Sequence, residues 1–399
     1  MAESPFTFYR GAAKLMALDL VSTPSTGVNA QISGDAHLSN FGLYGSPERD
    51  LVFDVNDFDE TLPGPWEWDV KRLAASFAIA AEHNRLGSHD QVDLAVASAA
   101  AYRKAMRQFA GHRFLDVWYA IVDEDDIARV FRDELTKKER KTGKRFVAKV
   151  RSKGSLHTLE KLTEKVDGEY RIVSQPPFII PLRDLAGMTE HDQLKEGIKA
   201  AFDGYLDSVP DYLAVLLRRF SFTDLAVKVV GVGSVGTRCF VVLLQGKDSD
   251  DPLFLQVKEA TRSVLEDHLP KSKYSTAGQR VVEGQRLMQA ASDSFLGWAH
   301  TAQSGHDYYW RQLKDMKGSA DVETMSADRL GRYARLCGWT LARAHARSAN
   351  VEVIAGYLGK SDSFDQAIGA FAVSYAEQNQ HDYETFQIAI NEGQIQAHE

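Results

Sequence analysis

A chain of 399 residues with 44% hydrophobic and 26% charged side chains has the material for a globular protein of two domains or one large two-lobed one. Its formal net charge of −8 argues against wholesale binding to nucleic acid or an anionic membrane surface, and no apolar run approaches the roughly 20 residues that span a bilayer. With only Cys239 and Cys337, no C-x-x-C and no basic-then-apolar leader, neither a disulfide framework nor a cysteine zinc site is expected, and the chain is placed in the cytoplasm.

Residues 6–20, FTFYRGAAKLMALDL, put Phe8, Ala12, Leu15 and Met16 on one helical face and predict a helix, with Pro24 and Gly27 breaking the chain after it. Arg10 on that helix is expected to be solvated, a site role being the alternative. Gln31 to Glu60 then concentrates Asp35, His37, Asn40, Asp54, Asp57 and Asp59 in thirty residues. Ala30, Ile32, Leu51, Val52, Phe53 and Val55 flank a centre punctuated by Gly42, Gly45, Ser46 and Pro47, which reads as strand, loop, strand, turn. Asp and Asn are ordinary turn residues. It is D-A-H-L-S-N together with F-D-V-N-D-F-D that points to chemistry, because hard oxygen ligands on a rigid hairpin suit reactions that ask for positioning and charge neutralisation.

Glu67 to Arg85 reads as a helix with Val70, Leu73, Ala74, Phe77, Ala80 and Ala81 as its buried stripe and Asp69 in its first turn. A second, alanine-rich helix runs from about Asp90 to Phe109, with Gly111 as a C-cap. Arg132 to Lys153 holds ten Lys or Arg against three acidic residues. A solvated helix face or mobile loop is the expectation there, an edge for phosphate or an acidic substrate the alternative, and the one interleaved aromatic, Phe146, does not make a nucleic-acid platform. Residues 169–182 read as two short strands around Pro176-Pro177, without an assigned role, and helical pattern follows to Arg219.

Leu225 to Leu244 is a hairpin whose turn carries Gly231, Gly233 and Gly236. A strand rather than a helix follows this G-x-G-x-x-G, which counts against a dinucleotide-binding βαβ unit. Phe254 to Ala260 is a third strand bearing Lys258, Gly278 to Ala291 a helix bearing Glu283, and Tyr308 to Lys314 a further strand. Leu330 to Ser348 is an amphipathic helix on which His345 is expected to pack or cap.

The Asp35 to Asn40 loop and the acidic run after it resemble the catalytic loop and metal-binding Asp of the kinase-like phosphotransferases, above all the aminoglycoside phosphotransferases with H-G-D-x-H-x-x-N and a following I-D-F/W. That resemblance implies Asp35 as acceptor of the attacking hydroxyl's proton, His37 beside it, and Asn40 with Asp57 as Mg²⁺ ligands, Asp54 being the alternative. Asp69 would then be a buried carboxylate bracing the loop; its other reading is an ordinary charge at a helix start. Gly231, Gly233 and Gly236 would fold over the phosphates of ATP, Lys258 would contact them, and Glu283 would pair with Lys258, although Glu266 lies nearer in sequence. Tyr308 to Lys314 would lead to the hinge.

In kinases the glycine loop and lysine precede the Asp/Asn loop, whereas here they follow it, so the resemblance implies circular permutation. The implied fold is α+β, two-lobed and protein-kinase-like. Residues 1–219 would form a helical catalytic lobe, 220–320 a β-rich nucleotide lobe and 321–399 helices returning to the first. The implied function is ATP- and Mg²⁺-dependent phosphoryl transfer to a hydroxyl or amine, with a small-molecule acceptor favoured over a protein. Alternatives are a metal-dependent phosphoesterase, since Gly34 to His37 also reads G-D-x-H; AMP transfer on a kinase scaffold; and a non-catalytic nucleotide-binding regulator. At whole-chain level SPFTFYRGAA, GDAHLSNFG, FDVNDFDETLPGPWEWDVKRLAAS and VVEGQRLMQAASDSFLGW resemble an uncharacterised bacterial family, the domain of unknown function 2252. Its members often carry a further N-terminal segment, so the chain is expected to start late; the resemblance implies no particular substrate.

Overall fold

A computed structural model describes residues 1–185, 188–229, 236–248, 250–302, 304–313 and 316–395. The architecture is α+β, and the described residues form one six-stranded antiparallel sheet, three small sheets and a body of packed helices. No described helix is long and apolar enough to cross a membrane.

The helical body is built on the Trp66–His83 helix, buried on every face from Trp66 to Ala81. The stripe expected from Val70 to Ala81 is buried, but so are Glu67, Asp69, Lys71 and Arg72, because the Pro5–Gly11, Ser88–Phe109, Ala327–Ala346 and Ser363–Asn391 helices surround it. Aromatic packing pins them together, with Trp66 stacked on Tyr102 at 5.5 Å. The single N-terminal helix expected over 6–20 is two, Pro5–Gly11 and Ala13–Leu20, broken where Ala12 leaves helical backbone geometry. The break lets Tyr9 and Met16 both reach Arg72, through Tyr9 OH to the Arg72 carbonyl at 2.7 Å and Arg72 Nη1 to Met16 Sδ at 3.4 Å.

Between the two N-terminal helices and the central one lie two nested antiparallel ladders. Strand β1 (Asn29–Ile32) pairs with β4 (Leu62–Pro65), and inside that pair β2 (Phe41–Gly45) pairs with β3 (Leu51–Val55). Nesting places the loop from β1 to β2 beside the loop from β3 to β4, joined by Asn56 N–H to the Asn40 carbonyl at 2.8 Å.

After the basic Lys137–Arg151 helix, β5 (Thr163–Val166) and β6 (Glu169–Ile172) make a hairpin, and β7 (Ile179–Pro181) opens the large sheet. That sheet continues with β8 (Ser221–Lys228), β9 (Cys239–Gln245), β10 (Pro252–Ala260), β11 (Gly297–Thr301) and β12 (His306–Gln312) in the order β11-β12-β10-β9-β8-β7. A two-residue strand, β13 (Gly318–Ser319), returns the chain to β2. Strand alternation sorts the faces. Leu253, Leu255 and Val257 of β10 and Tyr308 and Trp310 of β12 meet the core under the Met188–Ser208 and Asp211–Leu217 helices. Gln256, Lys258, Tyr309 and Arg311 alternate with them and turn to the other face. The division drawn in sequence at 219/220 is therefore not a packing boundary: β7 and both of those helices belong with the sheet.

Candidate active site

The loop from β1 to β2 is held from below by the central helix. Asp69, in that helix's first turn, accepts Ser33 N–H at 2.7 Å and Gly34 N–H at 2.9 Å. Gly34 has φ +78°, and a Cβ there would come within 2.7 Å of the Glu60 carbonyl, so the turn requires glycine. His345 Nε2 lies 3.2 Å from Asp69, and the Tyr102 hydroxyl 2.9 Å from His345 Nδ1, so a buried Tyr-His-Asp chain carries the brace back to the helical body. Tyr333 adds a hydroxyl bonded to the carbonyls of Leu38 and Phe41.

Above this brace Asp35 faces Arg72, whose Nε and Nη2 each lie 2.5 Å from its Oδ1. Burial pushes the Asp35 carboxyl up, to about 7, against the pull of the Arg72 guanidinium and with help from the neighbouring Asp57 charge. Asn40 donates its amide to the Asp35 carbonyl at 2.8 Å, which orients its oxygen away from that contact. His37 is buried and held neutral, well below the usual imidazole range, first by desolvation and then by Arg72 and Arg10.

The sheet supplies the other wall. Lys258 Nζ pairs with Asp59, whose second oxygen accepts the Tyr309 hydroxyl at 2.9 Å. Burial opposes ionisation of Asp59, but Lys258 outweighs it and holds the carboxyl below its ordinary range. The turn carrying Asp59 is fixed by Arg280, which reaches the Asp59, Thr61 and Thr261 carbonyls at 2.7, 2.8 and 2.9 Å. Arg311 bonds Gln256 at 3.0 Å, and Lys317 is pushed down to about 8 by burial and then by Arg311.

Together these walls enclose a cavity of about 630 Å³. Asp35, His37, Asn40 and Asp57 line it from the hairpins and Lys258 from β10. Among the described residues six Lys or Arg side chains line it against three carboxylates, in a protein of net negative charge. The arrangement offers an anion-attracting pocket with one near-neutral carboxyl and a pair of hard oxygen donors, Asn40 and Asp57, the latter accepting the Asp59 N–H at 3.2 Å through Oδ1.

Two expected site residues are elsewhere. Asp54 is 1% exposed and pairs with Arg343, while its oxygens accept the N–H groups of Val55 at 2.8 Å and Ala290 at 2.9 Å. It sits within β3, buried along its whole length, and its lone pairs are used there, so the alternative metal ligand is a structural carboxylate. Glu283 faces Arg286 at 3.0 Å instead of Lys258; the partner of Lys258 is Asp59, 199 residues away in sequence. Glu266 approaches Arg262 at 3.9 Å. Gly231 and Gly233 lie outside the described residues, while Gly236, with φ +88°, lies between β8 and β9 and is not part of the cavity wall.

Sequence reasoning missed Arg72, Lys228, Arg311 and Lys317, and favoured solvation over a site role for Arg10, which lines the cavity. Arg72 carried a signal, being a charge on a helix whose other residues are mostly apolar. The alternation of Gln256 with Lys258 and of Tyr309 with Arg311 was a second, since it puts polar groups on one face of two neighbouring strands.

Residues 1–389 match the family model described as "Uncharacterized protein conserved in bacteria (DUF2252)", and the chain belongs to that family. No curated protein and no solved structure matches it.

Proposed function

We propose that the protein is an ATP- and Mg²⁺-dependent phosphotransferase acting on a hydroxyl or amine of a small molecule, on a two-lobed kinase-like fold with its parts in circularly permuted order. One observation carries this reading: Asp35, Asn40 and Asp57 from the first hairpins and Lys258 from β10 line one cavity. Phosphoryl transfer needs base, metal ligands and lysine to converge on a single triphosphate. The sequence of parts around the sheet supports it further, with a hairpin (β8–β9), the lysine strand β10, the Ala277–Met288 helix, and β12 placed beside β10.

In this reading Asp35 takes the proton of the acceptor hydroxyl, and a carboxyl pushed up to about 7 is a base matched to neutral pH. Arg72 and Asp69 set its position. Lys258, Arg311 and Lys317 attract the triphosphate. The donor set suits Mg²⁺: among the described residues no three His, Cys, Asp or Glu side chains are grouped to hold a metal, and this ion characteristically takes one or two protein oxygens, here Asn40 and Asp57, and completes its shell with phosphates and water. Bound there, it would neutralise charge on the phosphoryl group in transfer. The absence of such a grouping among the described residues gives a two-metal phosphoesterase less support.

The decisive assay is incubation with Mg²⁺ and ATP labelled at the α- or γ-phosphate, across metabolite extracts. Movement of the γ label is expected; movement of the α label would mean AMP transfer, and movement of neither would remove the reading.

A further inference from the structure

We propose that the acceptor carries an anionic oxyacid group, carboxylate or phosphate, beside the hydroxyl that is phosphorylated, and that Arg10 and His37 bind it. This rests on the phosphotransferase reading and names the substrate class for the same cavity.

Arg10 comes from the last turn of the Pro5–Gly11 helix and lines the cavity alongside Asp35 and His37. Its guanidinium sits 5.8 Å over the Phe6 ring, has no ion pair among the described residues, and its Nε is buried without a hydrogen-bond partner. His37 is 4% exposed; its Nε2 stands 3.7 Å from Asp35, and its Nδ1 is buried with no partner. Two groups on the cavity wall thus have unmet hydrogen-bonding capacity, where folded proteins satisfy the large majority of buried polar atoms. Three other cations here have partners: Arg72 pairs with Asp35, Lys258 with Asp59, and Arg311 bonds Gln256.

Charge and geometry divide the cavity. Lys258 and Arg311 belong to the sheet and act on Asp57 and Asp59, and Lys317, just beyond β12, acts on Asp57, whereas Arg10 belongs to the helical side and acts on His37. The sheet cations answer a triphosphate, which leaves Arg10 to answer a second anion next to Asp35. A guanidinium grips a carboxylate or phosphate through two parallel N–H bonds, and a neutral imidazole adds one more donor. The acceptor hydroxyl oxygen forms a bond to the γ-phosphorus of ATP, the bond from that phosphorus to the β–γ bridging oxygen breaks, and ADP leaves with the electron pair. The hydroxyl proton passes to Asp35. The product is a phosphomonoester that retains its original anionic group.

The test is saturation-transfer NMR on the whole protein, its nucleotide half filled with Mg·ADP, titrated with glycerate, glycerol 3-phosphate and glycerol. At least one anionic probe is expected to bind saturably, and which one does tells carboxylate from phosphate. Glycerol should not bind at the same concentration. Arg10→Gln should weaken the anionic probe at least tenfold with Mg·ADP affinity retained, and Arg10→Lys should recover part of it. Binding of neither anion, equal binding of glycerol, or indifference to Arg10→Gln would overturn the proposal. Should Mg·ADP itself fail to bind, the phosphotransferase reading falls, and the same titration on nucleotide-free protein still reads the anion subsite.

Discussion

At the scale of single residues, the proposed base, Asp35, has a pH signature. Asp35 must be ionised to accept a proton, and burial raises it to about 7, so kcat/KM should climb as pH rises through that value. Lys317 loses its charge as pH passes about 8, so attraction for phosphate weakens and the profile should fall again. A bell with limbs near 7 and 8 is expected for the wild type, and Lys317→Arg, which stays charged, should abolish the alkaline limb. Asp35→Asn should cut turnover by about 10² or more while nucleotide affinity by calorimetry stays nearly unchanged. A parallel loss of binding and turnover would make Asp35 a ligand instead. The two neighbouring aspartates should separate cleanly. Arg343→Met strands the buried Asp54 carboxylate and should cost about 3–5 kcal/mol in urea unfolding. Asp57→Ala should leave the unfolding midpoint near wild type but weaken Mg·ATP, because it removes the carboxylate proposed to hold the metal from the cavity wall. If Asp57→Ala bound Mg·ATP normally, the metal role would pass to Asp59.

At the scale of elements, the hairpins keep their geometry because the helices beneath them cannot shift. The Ala327–Ala346 and Ser88–Phe109 helices approach so closely at Gly338 that a Cβ there would press on the Ser98 carbonyl. Gly338→Ala replaces a residue disfavoured in a helix interior, which alone would stabilise by about 1 kcal/mol. Overpacking against fixed backbone should reverse the sign and yield a net loss of about 1–3 kcal/mol by denaturant titration. Both helices carry parts of the brace, Tyr102 and His345, so the same substitution should lower turnover as well. A stabilised Gly338→Ala protein would show that the helices can slide apart without strain.

At the scale of the molecule, the cavity exists only because the sheet and the hairpins meet. Lys258 with Asp59, Arg280 with the 59–61 turn, and β13 with β2 are the contacts that join them. Mg·ATP should therefore slow amide hydrogen exchange in both residues 33–60 and residues 252–260. Protection confined to one of the two would place nucleotide and hairpin chemistry in separate sites.

Local patterns are what the sequence by itself determined. The 67–85, 90–109 and 330–348 helices appear as Trp66–His83, Ser88–Phe109 and Ala327–Ala346, and the strand carrying Lys258 as β10, because apolar period and turn residues act over a few neighbouring positions. The loop holding Asp35 and Asn40 was legible for the same reason, as was family membership. Tertiary structure alone decided which charges meet. Asp54 and Asp57 are three residues apart and chemically alike; that one is locked to Arg343, 289 residues on, and the other faces the cavity depends on how β3 is covered on both faces. Glu283 and Asp59 were equal in chemistry as partners for Lys258. The choice fell to Asp59 because Arg280 and the nested ladders fix its turn against β10, a constraint between segments some 200 residues apart that no local period encodes.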